Sequence, residues 1–408
     1  MSLVIVVADS VRADMLGRPG GSTRTPFFDG LAAHGTLFER VVSSAPWTVP
    51  SIAAMLTGVY AHRLGLAKWE QPWPEGRPSL FDLAAGAGLE VGSFVFDTGH
   101  LFRNVPVARV RGSSQDVPAL LSWLEARRGR EFVAFVHHWW THVPYVSRPM
   151  TSPVWRKVTD ALMATLAKSE TARVKARELY RMAVERFSEQ WLPRLVDTLD
   201  LDTTWLVVTA DHGESFGTRP ETAALKDVFD LHGNTLHKEM LEVPLLVRPP
   251  GGGPARRVPG LARTVDLMPT LADLLGLKPV PTDLDGASLA RCVRFGEPAA
   301  ASEAISVMNR DFVDLPDLPD DPLDLWSGIS LATPSRKLIW KLRPDERRAY
   351  DLTTDPGETT DVSERDAALL TPLWQRLETE LGRAIVGKVL PGDAERIRAR
   401  LRKLGYIE

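Results

Sequence analysis

Five short runs rich in valine, leucine and phenylalanine set the strongest limit on what this chain can fold into. They are Leu3–Asp9 (LVIVVAD), Glu90–Asp97, Glu131–His138, Thr204–Gly213 and Val243–Gly251. Their apolar residues follow one another instead of alternating with polar ones, the pattern of a strand covered on both faces. Between the runs lie segments whose apolar residues recur near a 3.6 period: Thr25–Gly35, Ser79–Gly88, Val117–Gly129 and Thr264–Leu277, the last stopped by Gly276 and Pro279. Val154–Leu199 is expected to be mostly helical. Buried strands alternating with helices predict an α/β fold, a mostly parallel central sheet with helices on both faces. The 408 residues, 44% of them hydrophobic, suffice for one large domain and a smaller appendage.

The pattern changes near Leu315. The stretch DLPDLPDDPLD (Asp314–Asp324) is acidic and proline-rich and reads as a loop. WSGISLAT and RKLIWKLR then alternate as antiparallel strands do, and LLTPLWQRLETELGRAI reads as an amphipathic helix. The expected division is a main domain over residues 1–315 and a C-terminal α+β subdomain with a small antiparallel sheet over 316–408.

Charge and cysteine content narrow the function. A net charge of −3 leaves no excess of lysine and arginine for a nucleic-acid binding patch. The single cysteine, Cys292, rules out an internal disulfide and a cysteine-based metal cluster. The apolar N-terminus has no basic flank and is interrupted by Asp9, so it reads as a first strand and not as a membrane anchor or secretion signal. The expectation is a cytoplasmic protein. No feature of the sequence speaks to oligomeric state.

In an open α/β sheet, ligands bind beyond the carboxyl ends of the strands. The polar residues cluster there: Asp9 after the first run, His137-His138 after the third with His142 close behind, and Asp211-His212 after the fourth. Taken singly, each has an ordinary structural role, an Asp as a helix cap or a His as a satisfied core group. Taken together, two carboxylates and an imidazole suit a divalent cation, and the mixed oxygen and nitrogen donors favour Mn, Zn or Fe over Ca. Thr48 precedes Pro50, which reads as the first residue of a helix. Alone, Thr48 would be a capping residue. The N-terminus of that helix would stabilise an anionic group, and a nearby metal ion could lower the pKa of the Thr48 hydroxyl.

These segments, in this order, resemble the sulfatase branch of the alkaline phosphatase superfamily. VIVVADSVRADMLG resembles its opening metal-binding strand, SSAPWTVPSIAAMLTG its nucleophile segment, FVHHWWTHVPY its His-x-Pro-Tyr region and VVTADHGESFG its late Asp-His-Gly; LHGNTLHKEMLEVPLLVRPPG, VDLMPTLADLLGL and AYDLTTDPGET resemble further landmarks. The resemblance implies an alkaline phosphatase-like fold with the catalytic domain in residues 1–315. It implies Asp9, Asp211, His212 and Thr48 as ligands of one divalent metal ion, Thr48 as nucleophile, and His142 and His232 as groups that touch the anionic group or leaving group. Arg12 would either stabilise the metal-binding loop or serve as an ordinary ion-pair residue.

Two departures redirect the chemistry. Sulfatases use formylglycine made from Cys or Ser in a Cys/Ser-x-Pro-x-Arg signature, whereas this chain reads Thr48-Val49-Pro50-Ser51-Ile52. Many also pair two aspartates at the first site, whereas here Asp9 is followed by Ser10. Threonine nucleophiles in the superfamily go with phosphoryl transfer. The resemblance therefore implies a metal-dependent hydrolase of phosphate esters, monoester or diester, acting on a small anionic ester through a phosphothreonine. The alternatives are transfer of the phosphoryl group to an alcohol, a sulfuric ester hydrolase that does without formylglycine, and a binding protein that kept the fold. Trp47 and the pair Trp139-Trp140 either pack the core or wall the pocket.

Overall fold

The computed structural model describes residues 1–17, 21–66, 76–95, 110–146, 152–166, 169–219, 231–309, 326–342 and 345–386. Fourteen strands are found among them. The larger sheet contains β1 (Ser2–Ala8), β2 (Thr36–Val42), β3 (Glu90–Val95), β4 (Val110–Ser113), β5 (Phe132–His138), β6 (Thr204–Thr209), β7 (Glu242–Val243), β8 (Leu245–Arg248), β9 (Arg256–Arg263) and β10 (Ala299–Ala300). Its order is β10-β9-β2-β8-β6-β1-β5-β3-β4, with β7 beside β2. Pairing is parallel except where β8 meets β6 and β2 and where β7 meets β2. The second sheet is antiparallel, β11 (Ala304–Asn309), β12 (Trp326–Ala332), β13 (Arg336–Leu342) and β14 (Asp345–Asp351) in sequence order. This is the mixed, mostly parallel architecture expected from the buried runs, with the small antiparallel sheet after it. The first strand of that sheet, β11, lies before the expected division at residue 315. The loop expected at Asp314–Asp324 falls outside the described residues.

The central strands are apolar on both faces because both are covered. Every residue of β1, β5 and β6 is buried. The first helices are α1 (Pro26–Ala32), α2 (Thr48–Thr57), α3 (Ala61–Leu64), α4 (Leu80–Gly86) and α5 (Val117–Glu125). They are followed by α6 (Ser152–Leu166), α7 (Glu170–Arg186) and, after one π-helical turn at Phe187–Trp191, α8 (Leu192–Val196). Helices α4 and α5 start on side-chain caps, Ser79 accepting from the Asp82 N–H and Asp116 from the Ala119 N–H. α7 is packed rather than free: Ala176, Tyr180, Ala183 and Val184 are buried. The Tyr180 hydroxyl donates to the Ser10 carbonyl at 2.7 Å.

α2 is buried along its whole length, from Thr48 to Thr57. A helix without a wet face is held by packing on all sides, so its start is fixed relative to the sheet. It begins at Thr48 and not at Pro50 as expected. Pro50 occupies the third helical position, where a missing N–H costs nothing because no acceptor precedes it. It ends on Gly58 at φ 69°, a left-handed C-cap that favours glycine. No described helix is long and apolar enough to cross a membrane.

Candidate active site

The register of three neighbouring strands builds the site. Val7 of β1 pairs with His137 of β5 on one side and with Thr209 of β6 on the other. Two residues further along, Asp9 and Asp211 leave the sheet side by side, and the Asp9 N–H still donates to the His138 carbonyl at 2.9 Å. Successive side chains of a strand point to opposite faces. His137 therefore shares a face with Asp9, while His138 turns away and packs among Trp140, Phe187 and Trp191 with ring centroids 5.3, 4.8 and 4.2 Å away.

Asp9, His137 and Asp211 are buried, and each offers a ligand atom within 4.8 Å of the others. His137 Nε2 lies 2.9 Å from Asp9 Oδ2 and 3.6 Å from Asp211 Oδ2. The close approach is not aligned as a hydrogen bond, and these three buried atoms have no hydrogen-bond partner among the described residues. Buried polar atoms left so close together and unsatisfied call for an explanation, and a cation between them supplies one. The donor set fits a divalent metal ion with nitrogen and oxygen ligands.

Three histidines complete the surroundings. His212 Nε2 is 3.8 Å from Asp9 Oδ1, 3.6 Å from Asp211 Oδ2 and 3.4 Å from Thr48 Oγ1. Its Nδ1 faces the Gly213 carbonyl at 2.8 Å, so Nδ1 carries the hydrogen and Nε2 presents a lone pair in the neutral ring. The rings of His142 and His212 lie 4.9 and 5.1 Å from that of His232. Thr48, Asp9, Asp211, His212, His142 and His232 are thus brought together. His137 joins them. The side chain of Thr48 caps nothing: the residue in the N-cap position is Trp47, and the Thr48 hydroxyl faces His212 instead.

The polar loops around these groups are tied to one another. Ser10, a non-glycine residue at φ 61°, donates from Oγ to Asp9 Oδ1 at 2.6 Å and from its N–H to Asp211 Oδ1 at 3.2 Å. A residue in the left-handed region is held there by such contacts at a cost of about 1–3 kcal/mol. Ser10 thus orients both aspartates instead of supplying a second carboxylate. The Asp211 carbonyl accepts from Ser51 Oγ at 2.6 Å and from Ser43 Oγ, tying the metal-site loop to the first turn of α2. Thr141 Oγ1 donates to the Asp9 carbonyl at 2.7 Å. Arg12 pairs with Asp14 through two contacts, 2.9 and 2.7 Å, so its guanidinium serves an ion pair beside the loop.

Electrostatics follow from burial and from this crowding. Burial opposes the charged form of Asp9, but the imidazoles of His142, His137 and His212 outweigh it and hold the carboxyl below the usual carboxylate range. Burial also opposes a charged His137, yet Asp211 and Asp9 raise its pKa to about 9. In the metal-free protein a proton on His137 thus occupies the place between two carboxylates that a cation could take. Burial brings His142 down to about 3, and its Nδ1 is spent on the Val143 carbonyl at 2.7 Å. His232 differs: burial pushes it down, but the carboxylate of Glu214 raises it overall. Trp139 stacks on His142 with centroids 3.9 Å apart, and Trp47 is buried.

The sulfatase family's sequence profile matches residues 2–277. An ulvan-active sulfatase from Formosa agariphila is 23% identical, over 76% of this chain and 68% of the relative. The phosphonate monoester hydrolase of Silicibacter pomeroyi superposes with a TM-score of 0.71 at 19% identity, covering 94% of this chain and 96% of that one. The phosphonate monoester hydrolase of Agrobacterium radiobacter does so with a TM-score of 0.70 at 19% identity, over 93% and 95%. The alkaline phosphatase-like fold carries, where its central strands end, a buried Asp–His–Asp group that could hold a metal ion. The chain belongs to the sulfatase family of the alkaline phosphatase superfamily.

Proposed function

We propose that this protein is a metal-dependent hydrolase of phosphoryl esters that works through a covalent phosphothreonine on Thr48. The observation that carries the reading is the position of the Thr48 hydroxyl. It lies at the first residue of a buried helix, 3.4 Å from His212 Nε2, which is itself 3.8 Å from Asp9 Oδ1 and 3.6 Å from Asp211 Oδ2. A divalent cation, Mn, Zn or Fe by the mixed donor set, would be held by Asp9, His137, Asp211 and His212 and would supply a positive charge that lowers the pKa of the Thr48 hydroxyl and offsets the charge of the ester.

The protein's own groups do the rest. The unpaired N–H groups at the start of α2 favour an anion beside Thr48. Thr48 Oγ1, its proton given up to solvent before the ester binds, forms a bond to phosphorus as the bond to the leaving oxygen breaks. The electron pair of that bond stays on the leaving oxygen, which takes a proton from His232. Water then attacks the phosphothreonine, passes a proton to His232, and releases Thr48 and the product. His232 suits the acid role because its Nδ1 faces a carboxylate, which stabilises an imidazolium. His142, whose Nδ1 faces the Val143 carbonyl at 2.7 Å and whose ring lies 4.9 Å from that of His232, stands beside this acid at the anionic group.

The test is Thr48→Ala. Turnover should fall at least about 1,000-fold while the melting temperature and bound metal stay unchanged. An acid quench of the wild-type enzyme should trap a phosphate on Thr48, seen by mass spectrometry. A Thr48→Ala enzyme with a near-normal rate would remove the covalent mechanism. The similarity to an ulvan-active sulfatase favours a second reading, hydrolysis of sulfate esters. Matched 4-nitrophenyl phosphate, phosphonate and sulfate esters separate the two by kcat/KM. Addition of an alcohol that diverts product from hydrolysis would mark a transferase.

A further inference from the structure

Glu214 is a carboxylate with no exposure to solvent, and no step described so far uses it. Burying an ion costs several kcal/mol unless its partners compensate. Among the described residues its side chain has two partners, one on each oxygen. Oε1 faces His232 Nδ1 at 3.3 Å, and Oε2 accepts from the Tyr145 hydroxyl at 3.2 Å.

The backbone around His232 is already pinned on both sides. The Leu231 carbonyl accepts from the Ser215 N–H at 2.7 Å, and the Gly233 N–H donates to the Pro46 carbonyl at 2.9 Å, two residues before Thr48. Those bonds place the Cα of His232 between the Asp211–Ser215 loop and the nucleophile segment. They hold the backbone, and Glu214 holds the ring through Nδ1. Glu214 is in turn held by its own N–H, which donates to the Glu239 carbonyl at 3.1 Å, and by Tyr145. Tyr145 sits at φ 64°, a strained conformation for a residue with a side chain, and its N–H donates to the His142 carbonyl at 2.8 Å. The loop that carries His142 therefore also anchors the carboxylate that orients His232.

We propose that Glu214 is a positioning residue for the departure of the leaving group: it commits His232 Nδ1 to its carboxylate so that Nε2 is the nitrogen that hands a proton to the ester's leaving oxygen, with Tyr145 anchoring the carboxylate. This rests on the acid role given to His232 above. A carboxylate behind an imidazole fixes both tautomer and ring orientation, a general device of acid–base catalysis. The proton balance is unchanged by it. His232 Nε2 gives its proton to the leaving oxygen, keeps the Nδ1 proton on Glu214, and regains one from water in the second step.

The readout is the dependence on leaving group. A 4-nitrophenolate leaves without a proton, whereas an alkoxide needs one. For wild type, Glu214→Gln, Tyr145→Phe and His232→Asn, kcat/KM is measured on a 4-nitrophenyl and a methyl ester of the same phosphonic or phosphoric acid. General acids contribute about 100-fold or more, so Glu214→Gln should widen the ratio of the two values by about 30-fold, and His232→Asn by more. A purely structural Glu214 would lower both values together and leave the ratio within twofold. That result, alongside a widened ratio in His232→Asn, overturns the inference and leaves the phosphothreonine reading standing. An unchanged ratio in His232→Asn overturns the acid assignment and this inference with it. If Glu214→Gln does not fold, Tyr145→Phe decides. A ratio widened about threefold supports the chain of contacts, and an unchanged one refutes it.

Discussion

His137→Ala tests the metal site through folding as well as through binding. In the metal-free protein the imidazole lies 2.9 Å from Asp9 and 3.6 Å from Asp211, with all three side chains buried. Its pKa of about 9 lies well above the ordinary 6.5. At roughly 1.4 kcal/mol per pH unit this amounts to about 3 kcal/mol of stability. The folded value is the higher one, so the contribution is complete below about pH 6.5 and fades as pH rises through about 9. Asp9 acts in the opposite sense. Its folded value is depressed, so its contribution is present above about pH 4 and is lost only as pH falls further, outside the alkaline window.

The assay is urea unfolding of chelator-treated protein at pH 6, 7.5 and 9.5. Wild type should lose about 3 kcal/mol between pH 6 and 9.5, and His137→Ala should be less stable by a similar amount at pH 6, the gap closing at pH 9.5. With saturating manganese or zinc, the wild-type curve should flatten because the cation takes the place of the proton. The variant should bind that metal more than about 100-fold more weakly in a calorimetric titration, since even outer partners of metal ligands are worth about 10–100-fold. Metal-free proteins with the same pH dependence, or a variant with undiminished affinity, would refute the assignment of His137 to the site.

Three further substitutions probe the supports of the site. Gly213→Ala would place a Cβ 2.0 Å from the Glu239 carbonyl, breaking the Gly213 N–H to Met240 carbonyl bond of 2.7 Å; a loss of about 1–3 kcal/mol in denaturant unfolding and of metal binding is expected. Ser51→Ala removes a 2.6 Å bond to the Asp211 carbonyl and should cost about 1 kcal/mol by thermal melting, with kcat reduced several-fold. Glu358 accepts from Lys337 Nζ at 2.9 Å and from the Lys238 N–H at 3.1 Å and faces His237 Nδ1 at 2.9 Å, with the Glu358, Lys337 and His237 side chains all buried. Glu358→Ala strands a buried ammonium and should cost about 3–5 kcal/mol in urea unfolding. Burial works against the Glu358 charge, but Lys337 and His237 outweigh it and bring the carboxyl to about 2. That stabilisation is present above about pH 4.5 and lost as the pH falls through about 2.

The strands that frame the site were legible because burial on both faces leaves an unbroken apolar run, as in Leu3–Ala8 and Thr204–Thr209. β9 was not legible, since RRVPGLAR carries three arginines, a proline and a glycine. It joins the sheet beside β2 across a register shift, and Gly260 at φ 95° lets it approach Ala299, where a Cβ would lie 2.1 Å from the carbonyl oxygen. Helix α2 starts at Thr48, two residues before the position that Pro50 alone suggests. A proline is tolerated anywhere in the first turn, so it marks a helix start only to within a turn.

His137 shows what a linear reading lacks. The residues at Asp9, Thr48, Asp211 and His212 stand in segments whose order and local pattern carry meaning along the chain. His137 and His138 are adjacent and chemically identical, and nothing in their neighbourhood says which of them turns toward Asp9. The choice is made by the pairing of β5 with β1, two strands more than a hundred residues apart. Once Val7 is opposite His137, the two-residue period of a strand sends His137 to the face of Asp9 and His138 into the aromatic core beside Trp191. A slip of one residue would exchange them and leave Asp9 and Asp211 facing each other without the imidazole. The identity of the third side chain in the Asp–His–Asp group is therefore encoded in the register of the sheet, and the apolar residues of β1 and β5 that fix that register belong to the candidate site as much as the histidine does.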